Sequence, residues 1–402
     1  MANVSSSNGL EKRPKLRFPG FDEPWQTTLL SSVFAKNTQK NTDGRITNVI
    51  CNSAKQGLIP QREYFDKNIA NSDNTNGYYI IEENDFVYNP RKSADAPYGP
   101  ISSYKYTEAG IVSPLYLCFR AKKEINPAFF EWYFRSSAWH RYVYMSGDSG
   151  ARHDRVSIKD DTFFAMPINI PSAHEQAQIA IFLERIEQRI EMQRALVDSL
   201  KKYKRGVVAA IFSHQLKFSD ATGNPYPEWT SCTLQDAVDF LDGQRKPLES
   251  ADRAKRQGQY PYYGASGIID YIDDFIFDEP LLLLGEDGAN ILNRSTPLCF
   301  IAEGKYWVNN HAHVMRPKAG QNIKFLCELL ESLDYTRYNT GTAQPKLNQD
   351  KCRRIGLALP VYEEQCHIAD FLSAFDQRTD KAQSILGYLL SNRDGLLQQL
   401  FI

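Results

Sequence analysis

The sequence predicts an α+β protein in which two globular domains alternate with two long helices, as a pseudo-twofold internal repeat. Three observations predict this fold class. A 20-residue segment that begins at Pro171 returns 189 residues later at Pro360, without a gap and with nine identical positions. Apolar residues recur at helical spacing through and beyond each copy. Short β-rich runs separated by Asn, Asp and Gly turns fill the stretch before each copy.

Each domain opens with a related block, LRFPGFDEPW from Leu16 and LKFSDATGNPYPEW from Leu216. Between block and helix the apolar pattern is kept, whereas most identities are lost. A shared core with a divergent surface indicates two versions of one recognition task. We predict a flexible N-terminal tail at 1–13, a first domain at 14–168, a first helix at 169–213, a second domain at 214–358 and a second helix at 359–402.

Each domain is predicted to contain strands followed by a helical stretch. The β-rich runs are Ile46–Cys51, Tyr78–Tyr88 and Ile111–Phe119 in the first domain and Gly267–Phe277, Leu281–Leu284 and Lys305–Met315 in the second. The helical stretches lie near Pro127–Tyr144 and Ile323–Tyr335.

The two long helices carry apolar residues in alternating steps of four and three, which predicts a coiled-coil seam. Two domains related by a pseudo-twofold axis require these helices to run antiparallel, so each is the expected partner of the other. The alternative is that each helix packs only on its own domain. The predicted seam comprises Ile179, Leu183, Ile186, Ile190, Val197 and Leu200 in the first helix and Ile368, Leu372, Phe375, Leu386 and Leu389 in the second.

Composition excludes several classes of protein. Hydrophobic residues make up 42% and charged residues 24%, which excludes a wholly disordered chain. A formal net charge of −1 excludes a uniformly basic coat for nucleic acid but not clustered basic residues. Seven scattered cysteines without a CxxC pair argue against a disulfide framework. No apolar run is long enough for a membrane helix, so we expect a cytoplasmic protein with no membrane partner.

Basic and amide residues cluster in the turns of both domains, just before each long helix. Arg, Lys, Asn and Gln on exposed loops suit the edges of bases and the phosphates of DNA. The predicted DNA-binding residues are Arg91, Lys92, Arg152, His153 and Arg155 in the first domain and Tyr263, Ser266, Asn309, Asn310, His311, Gln344 and Lys346 in the second.

Motifs of catalysis are absent from the sequence. There is no GxGxxG, no P-loop GxxxxGK[ST] and no [DN]PP[YF]. Asp287 with Glu303 and Lys305 resembles half of a nuclease metal site, which leaves a metal-dependent nuclease as a weak alternative. His311 and His313 would face one side of a strand, but no further ligands accompany them. We therefore predict no catalytic residue and no metal site.

The residues above carry a family resemblance over nearly the whole chain. The segment P-x-x-x-E-Q-x-x-I-A-x-F-L occurs twice, as PSAHEQAQIAIFL and PVYEEQCHIADFL, each time after an unlike domain. Together with the LRFPGF…PW block, this resembles the specificity (S) subunit of Type I restriction–modification systems. The resemblance implies that the two domains are target recognition domains. Each would read one half of a bipartite double-stranded DNA site, and the antiparallel coiled coil would set the spacer between the halves.

The resemblance also implies partners. Two modification (methyltransferase) subunits would dock on the helical regions, and two restriction subunits, ATP-dependent translocase and nuclease, would complete the complex. S-adenosylmethionine, ATP and Mg would then bind the partners, and this chain would bind no cofactor. The residues predicted for subunit docking are Glu175, Gln176, Glu364 and Gln365. The other alternative is a coiled-coil adaptor whose two domains bind peptides.

Overall fold

A computed structural model of the chain describes residues 12–64, 75–147, 154–341 and 344–402. The chain forms two compact units, one of Met1–Arg194 with Ser384–Ile402 and one of Ala195–Gln383. The unit boundary falls inside both long helices. Each unit therefore contains one globular domain and a part of each long helix.

The described elements of the first domain are short strands and short helices. In chain order they are β1 (Gln26–Leu29), α1 (Leu30–Val33), β2 (Phe34–Lys36), β3 (Ile50–Ser53), β4 (Gly57–Pro60), α2 (Gln61–Tyr64), β5 (Tyr79–Ile81), β6 (Phe86–Tyr88), β7 (Ile101–Ser103), β8 (Gly110–Val112), β9 (Leu117–Ala121), α3 (Pro127–Arg135), α4 (His140–Ser146), α5 (Asp160–Phe164) and β10 (Pro167–Ile170).

The first long helix is α6 (Ala173–Phe212), and the second domain follows it. Its elements are β11 (Thr230–Thr233), α7 (Leu234–Ala237), β12 (Val238–Phe240), α8 (Ser250–Lys255), β13 (Gln257–Gly264), β14 (Gly267–Ile272), β15 (Phe277–Asp278), β16 (Leu281–Gly285), α9 (Asn290–Asn293), β17 (Cys299–Ala302), β18 (Lys305–Val308), β19 (Ala312–Pro317), α10 (Ile323–Ser332), α11 (Gln349–Arg353), β20 (Gly356–Leu359) and the second long helix α12 (Tyr362–Leu400).

The internal repeat predicted from the sequence is present in the sheets. The first domain pairs β1 with β10 and builds a four-stranded antiparallel sheet in the order β2-β9-β6-β7. The second pairs β11 with β20 and builds a sheet in the equivalent order β12-β19-β16-β17, again antiparallel. The remaining strands differ, because the first domain has two two-stranded sheets where the second has a four-stranded sheet, β14-β13-β18-β15.

Side chains at equivalent positions stabilise both copies of the core. Asn126 caps α3 by accepting a hydrogen bond from the Phe129 amide, and Asn322 caps α10 by accepting from the Phe325 amide. Replacing a cap of this kind costs about 1 kcal/mol. The predicted helix at 127–144 is interrupted, because α3 ends at Arg135, with Ser136 as its C-cap, and α4 begins only at His140.

A second repeated contact is an arginine on the sheet that grips a carboxylate. Arg120 donates to both oxygens of Asp85 at 2.6 and 2.7 Å. Arg316 donates to both oxygens of Glu279 at 2.9 and 2.5 Å. Such bidentate pairs fix geometry as well as neutralising charge. These two arginines therefore belong to the frame of each domain.

The end of each long helix is part of a domain core. In the second unit Phe212, at the end of α6, packs against Trp229 and Phe325, with ring centroids 6.2 and 5.8 Å away. In the first unit Phe401, just after α12, packs against Trp25 and Phe129 at 6.4 and 5.6 Å. The same three aromatic residues recur in each copy. The C-terminal residues of the chain therefore complete the core of the first domain.

The long helices run antiparallel to each other in each unit. In the first unit Arg393 donates to Glu187 at 3.2 Å, and in the second Lys204 donates to Asp376 at 2.7 Å. Moving 17 residues forward along α6 thus moves the contact 17 residues back along α12, as an antiparallel register requires. Both basic residues occupy seam positions, where a charged group specifies register.

The predicted seam residues are buried or half-buried, but some of them pack on a domain core as well as between the two helices. Ile179 and Leu183 join the core of the first domain as well as contacting the end of α12, so the alternative of packing on the domain is partly correct. Buried seam residues are Ile179, Leu183, Ile190, Val197, Ile368 and Leu372, and half-buried ones are Ile186, Leu200, Phe375, Leu386 and Leu389. Within the described chain, no helix is long and apolar enough to cross a membrane.

Candidate nucleic-acid interface

A short two-stranded ribbon gathers the basic residues predicted in the first domain. Arg91 lies directly opposite Arg155 in an antiparallel bridge. The Lys92 amide donates to the Asp154 carbonyl at 2.8 Å, and the Val156 amide donates to the Pro90 carbonyl at 2.9 Å. The ribbon therefore places two basic side chains as cross-strand neighbours. Arg152 and His153, predicted with them, lie outside the described residues.

The described ribbon cations lack the close acidic partners that Arg120 and Lys36 have. Arg120 is held by Asp85, and the Lys36 ammonium lies 2.5 Å from Asp160. Among the described residues, neither Arg91 nor Lys92 forms an ion pair, and both are exposed. Arg155 is 33% exposed; its nearest carboxylate is Asp154, at 3.9 Å. Its buried Nε has no hydrogen-bond acceptor in the part of the chain that the structure describes.

An open cleft of about 440 Å³ adjoins the ribbon, with Arg155 in its wall. Tyr79 and Tyr116 contribute aromatic walls, and Leu115, which is 60% exposed, stands at the side. Burial is the main cause that raises the pKa of Tyr116, and the nearby Arg91 lowers it in part. Sequence reasoning missed this cleft because PLYL at 114–117 resembles the start of a buried strand. The Leu that directly follows a Pro in this turn is the sequence signal that could have indicated the cleft.

In the second domain, four loops meet at one edge of the sheets. Strands β13 and β18 are parallel, so the turns that follow them, at 265–266 and 309–311, lie side by side. Gly285 pairs with Ala312, which brings the loop at 286–288 next to the second turn. That loop in turn pairs with the segment around Lys346. Topology therefore unites loops that are far apart in the sequence.

This edge contains the residues predicted to bind DNA in the second domain, but two of them point inward. Ser266, Asn310 and Gln344 are exposed, as are His311 and Lys346. The ring of Tyr263 instead packs on Phe300 and Tyr306, with centroids 5.7 and 5.6 Å away. Asn309 is buried, and its Oδ1 accepts a hydrogen bond from the His311 amide. Tyr263 is thus half-buried against the core and Asn309 forms the turn, so neither is the freely exposed side chain that was expected.

A buried ionic network supports these loops. Glu286 accepts from Arg245 at 2.8 Å, and Asp242 lies 2.7 Å from His313 Nδ1. His313 Nε2 faces the Leu347 carbonyl at 2.7 Å, so both ring nitrogens face oxygen atoms that can accept a hydrogen bond. Burial acts to raise the pKa of Asp242, but hydrogen bonding to His313 and the nearby charges lower it overall. The network fixes the loops that carry His311 and Lys346. Sequence reasoning missed Asp242 and Glu286, since no local pattern joins them.

The residues of the nuclease alternative are separated by the sheet. Asp287 lies beyond the last residue of β16, whereas Glu303 follows Ala302, which pairs with the first residue of β16. About six residues of strand at ~3.4 Å each separate the two carboxylates. The Nζ of Lys305 lies over the ring of Phe275, 4.7 Å from its centroid. These three residues cannot ligate one ion, so the nuclease alternative was wrong.

The two histidines also differ from expectation. His311 is exposed with Nδ1 2.8 Å from Asp287, while His313 is wholly buried two residues later. They do not share a face, because His311 lies in the turn before β19 begins. Across the described residues, no cluster of three or more His, Cys, Asp or Glu side chains could hold a metal ion.

The residues predicted for subunit docking are engaged within the chain: the two glutamates contact the front blocks, and the two glutamines contact the start of their own helical segments. Glu175 is 1% exposed and accepts from Arg17 Nε and Nη2 at 2.7 and 2.8 Å. Gln176 and Gln365 each donate to the carbonyl of the motif proline five residues earlier, both at 3.0 Å. Glu364 is 4% exposed. Three of these side chains are buried and Gln176 is half-buried, so they offer little open surface, and their role in docking stays a prediction.

Both copies of the repeat match one family of known proteins. The profile of the family described as "Type I restriction modification DNA specificity domain" matches residues 23–202 and again 226–386. The chain belongs to this family. The two matches cover most of the chain and correspond to the two copies of the repeat.

Two curated relatives are similar to this chain over part of its length. A type I restriction enzyme specificity subunit of Haemophilus influenzae is 32% identical over 155 residues, which is 38% of this chain and 38% of the relative. The EcoprrI specificity subunit of Escherichia coli is 28% identical over 154 residues, 38% of this chain and 37% of the relative. The similarity thus spans well under half of each relative's length.

Two solved structures share the fold of this chain over nearly its whole length. The S subunit of a Type I restriction–modification system from M. genitalium gives a TM-score of 0.56 at 16% identity, covering 97% of this chain and 99% of that one. A chain from a study of assembly and conformational transition of the type I system gives 0.59 at 14%, covering 95% and 98%. At these identities the likeness shows the fold alone.

Proposed function

We propose that this chain directs a type I restriction–modification complex to a bipartite double-stranded DNA site. One observation carries the proposal: two domains with the same core present different polar loops. In the first domain these are the ribbon with Arg91, Lys92 and Arg155. In the second they are the edge with Ser266, Asn310, His311, Gln344 and Lys346. A repeated frame with divergent reading loops suits two unlike half-sites.

The chemistry of these loops supports contact with DNA. Lysine and arginine without acidic partners neutralise phosphates, and amides and hydroxyls bond the edges of bases. In the second domain Lys346 lies 3.5 Å from Glu286, and His311 is paired with Asp287. Binding by that domain therefore depends less on net charge and more on hydrogen bonding. We expect the isolated chain to bind DNA weakly and in a salt-dependent manner.

The long helices are the proposed docking site of two modification subunits, and they set the spacing between half-sites. In the first unit Met192 is 67% and Tyr388 is 68% exposed. The register of the Glu187–Arg393 pair places these two residues at the same level of the helix pair. Exposed apolar side chains on a regular helical surface suit a protein partner. Two restriction subunits would join this cytoplasmic complex, and S-adenosylmethionine, ATP and Mg would bind the partners, not this chain.

Methylation mapping tests the proposal. The chain is co-expressed with a modification subunit from the same host, and the DNA is sequenced for N6-methyladenine. We expect a split motif with a fixed spacer, methylated on both strands. An assembled complex that leaves no new methylation would refute the proposal and favour the peptide-binding adaptor.

A pair of variants assigns the half-sites. His311→Ala combined with Lys346→Gln is expected to change or weaken one half of the motif only. Lys324→Gln, an exposed lysine on α10 of the same domain, is the matched control and should leave both halves unchanged. Equal changes in both halves would contradict the assignment of one domain to each half-site.

A further inference from the structure

We propose that Arg155 of the first domain reads a guanine in the major groove of that domain's half-site. The inference rests on the proposed function and adds to it a base and the side chain that recognises it. Nothing in the sequence distinguishes Arg155 from the other basic residues of its loop. The structure distinguishes it by its opposite neighbour, its buried Nε and its place in the cleft.

The first argument is the repulsion built into the ribbon. Like charges directly opposite each other on antiparallel strands are destabilising. Arg91 and Arg155 occupy such positions, and no carboxylate within hydrogen-bonding distance relieves them in the described chain. By contrast, Arg120 on the sheet of the same domain is matched to the carboxylate of Asp85. Two arginines held opposite each other break a local rule of strand pairing, and such a break marks a candidate functional site, here one for a ligand rich in acceptors.

The second argument is the unsatisfied nitrogen of Arg155. Its Nε is buried and has no acceptor in the part of the chain that the structure describes, so the loss of its hydration is not compensated there. The rest of the side chain is 33% exposed, so the outer guanidinium nitrogens remain reachable. Because the stem is held in the wall of the cleft, little side-chain entropy is lost on binding. Arginine presents a planar fork of donors, which matches the O6 and N7 acceptors of guanine.

The third argument separates base reading from phosphate binding. Arg91 and Lys92 are exposed and unrestrained, which suits contact with the mobile phosphate backbone. Lys36 lines the same cleft as Arg155 but is neutralised by Asp160 at 2.5 Å. Arg155 is thus the cation in the described cleft wall that lacks a close acidic partner. A two-stranded ribbon is also an element that the major groove of DNA admits.

The test uses the assembled complex of the full chain with its modification subunits on the mapped site. Each guanine of the first domain's half-site is replaced in turn by 7-deazaguanine, which keeps base pairing but lacks the N7 acceptor. We expect one position at which the wild-type complex binds roughly 5- to 150-fold more weakly. In the Arg155→Gln complex the same replacement should cost less than about twofold, because the contact is already absent.

Two further variants separate reading from folding. Arg155→Lys keeps the charge but loses the fork, so it should relax methylation at that guanine while the second half-site stays intact. Lys92→Gln should weaken binding to all sequences alike and lower the salt dependence by about one charge. A 7-deazaguanine penalty unchanged in Arg155→Gln, or a half-site without guanine, would overturn the inference. A wild-type complex without a split motif would instead overturn the proposed function.

Discussion

In both copies of the repeat, the long helix contacts the front block of its domain, the segment from Leu16 or Leu216, through the same kind of aromatic pair. The ion pairs beside this contact differ. Phe18 packs edge-on against Phe182 at 5.4 Å, and Phe218 packs edge-on against Phe371 at 5.5 Å. In the first copy Arg17 grips the buried Glu175 with two hydrogen bonds. In the second the equivalent Lys217 turns outward to Glu228, at 3.5 Å, and leaves Glu364 without it.

The difference shows how a buried carboxylate responds when its cation is lost. Glu364 receives a hydrogen bond from the Trp229 side chain, while its Oε2 has no partner among the described residues. Burial raises the pKa of Glu364, the Trp229 bond and the fields of His214 and His367 lower it in part, and Glu228 raises it further. The aromatic contact between helix and front block is therefore kept in both copies, whereas the ion pair with the buried glutamate is present only in the first. Removing a residue from either copy tests which contact matters more.

The largest expected effect on stability follows from removing a phenylalanine of the three-aromatic contact in each unit, which is Trp25, Phe129 and Phe401 in the first and Phe212, Trp229 and Phe325 in the second. Phe401→Ala should destabilise the first unit by about 3–5 kcal/mol, because it opens a cavity beside Trp25 and Phe129. Phe212→Ala should cost the second unit less, about 2–3 kcal/mol, because Phe212 is only partly buried. Hydrogen exchange followed by mass spectrometry resolves the two units. Tyr388→Ala, an exposed aromatic on α12, is the control, and loss of protection spread equally over both units would contradict the assignment.

The next effect is on the ion pair of the first copy. Arg17→Ala leaves the carboxylate of Glu175 buried and unpaired, and should cost the first unit about 3 kcal/mol. Lys217→Ala, its counterpart, removes an exposed pair and should change stability by less than about 0.5 kcal/mol. Thermal unfolding of both variants measures the difference. Similar losses in the two would show that the copies are equivalent at this joint, against the structure.

The smallest effect concerns Glu364 and pH. A carboxyl whose pKa is higher in the folded state binds its proton more tightly there. Stability is therefore highest below the unfolded pKa and falls as pH rises through the folded pKa. Glu364→Gln should remove this loss and stabilise the second unit at pH 7 by up to about 1 kcal/mol.

The pH dependence and the other copy provide the control for this variant. The advantage of Glu364→Gln over wild type should shrink between pH 7 and pH 4. Glu175→Gln should instead destabilise the first unit by about 1.5–3 kcal/mol, because it weakens a charged hydrogen-bonded pair. Unfolding midpoints at the two pH values check both expectations. A Glu364→Gln variant less stable than wild type at pH 7 would contradict the interpretation.

Periodicity and self-similarity predicted the frame well. The heptad steps indicated α6 and α12, and the segment repeated at Pro171 and Pro360 indicated two copies of one fold. These features repeat along the chain at fixed distances, so they are readable without coordinates. The prediction at 127–144 failed because Ser136 ends α3 within a continuous apolar pattern, and such a break depends on local hydrogen bonds.

Residue-level sites were less predictable. Exposed loop residues such as Asn310 and Gln344 were chosen by residue type, which also selected the buried Asn309. The repeated Glu and Gln of the helix motif were chosen as a docking surface by their recurrence, although all four make contacts within the chain. Burial decides such cases, and burial follows from contacts between segments far apart in the chain.

The sequence by itself determined the repeat, the two long helices and the family, because each is encoded in local pattern and in the comparison of one half with the other. Tertiary structure decided which charges are free. Arg120, Arg245 and Arg316 are neutralised by carboxylates that lie far away in the sequence, whereas Arg91 and Arg155 face each other with only Asp154, 3.9 Å from Arg155, nearby among the described residues. Net charge and clustering along the chain cannot show this, because ion pairing depends on distances that only folding creates.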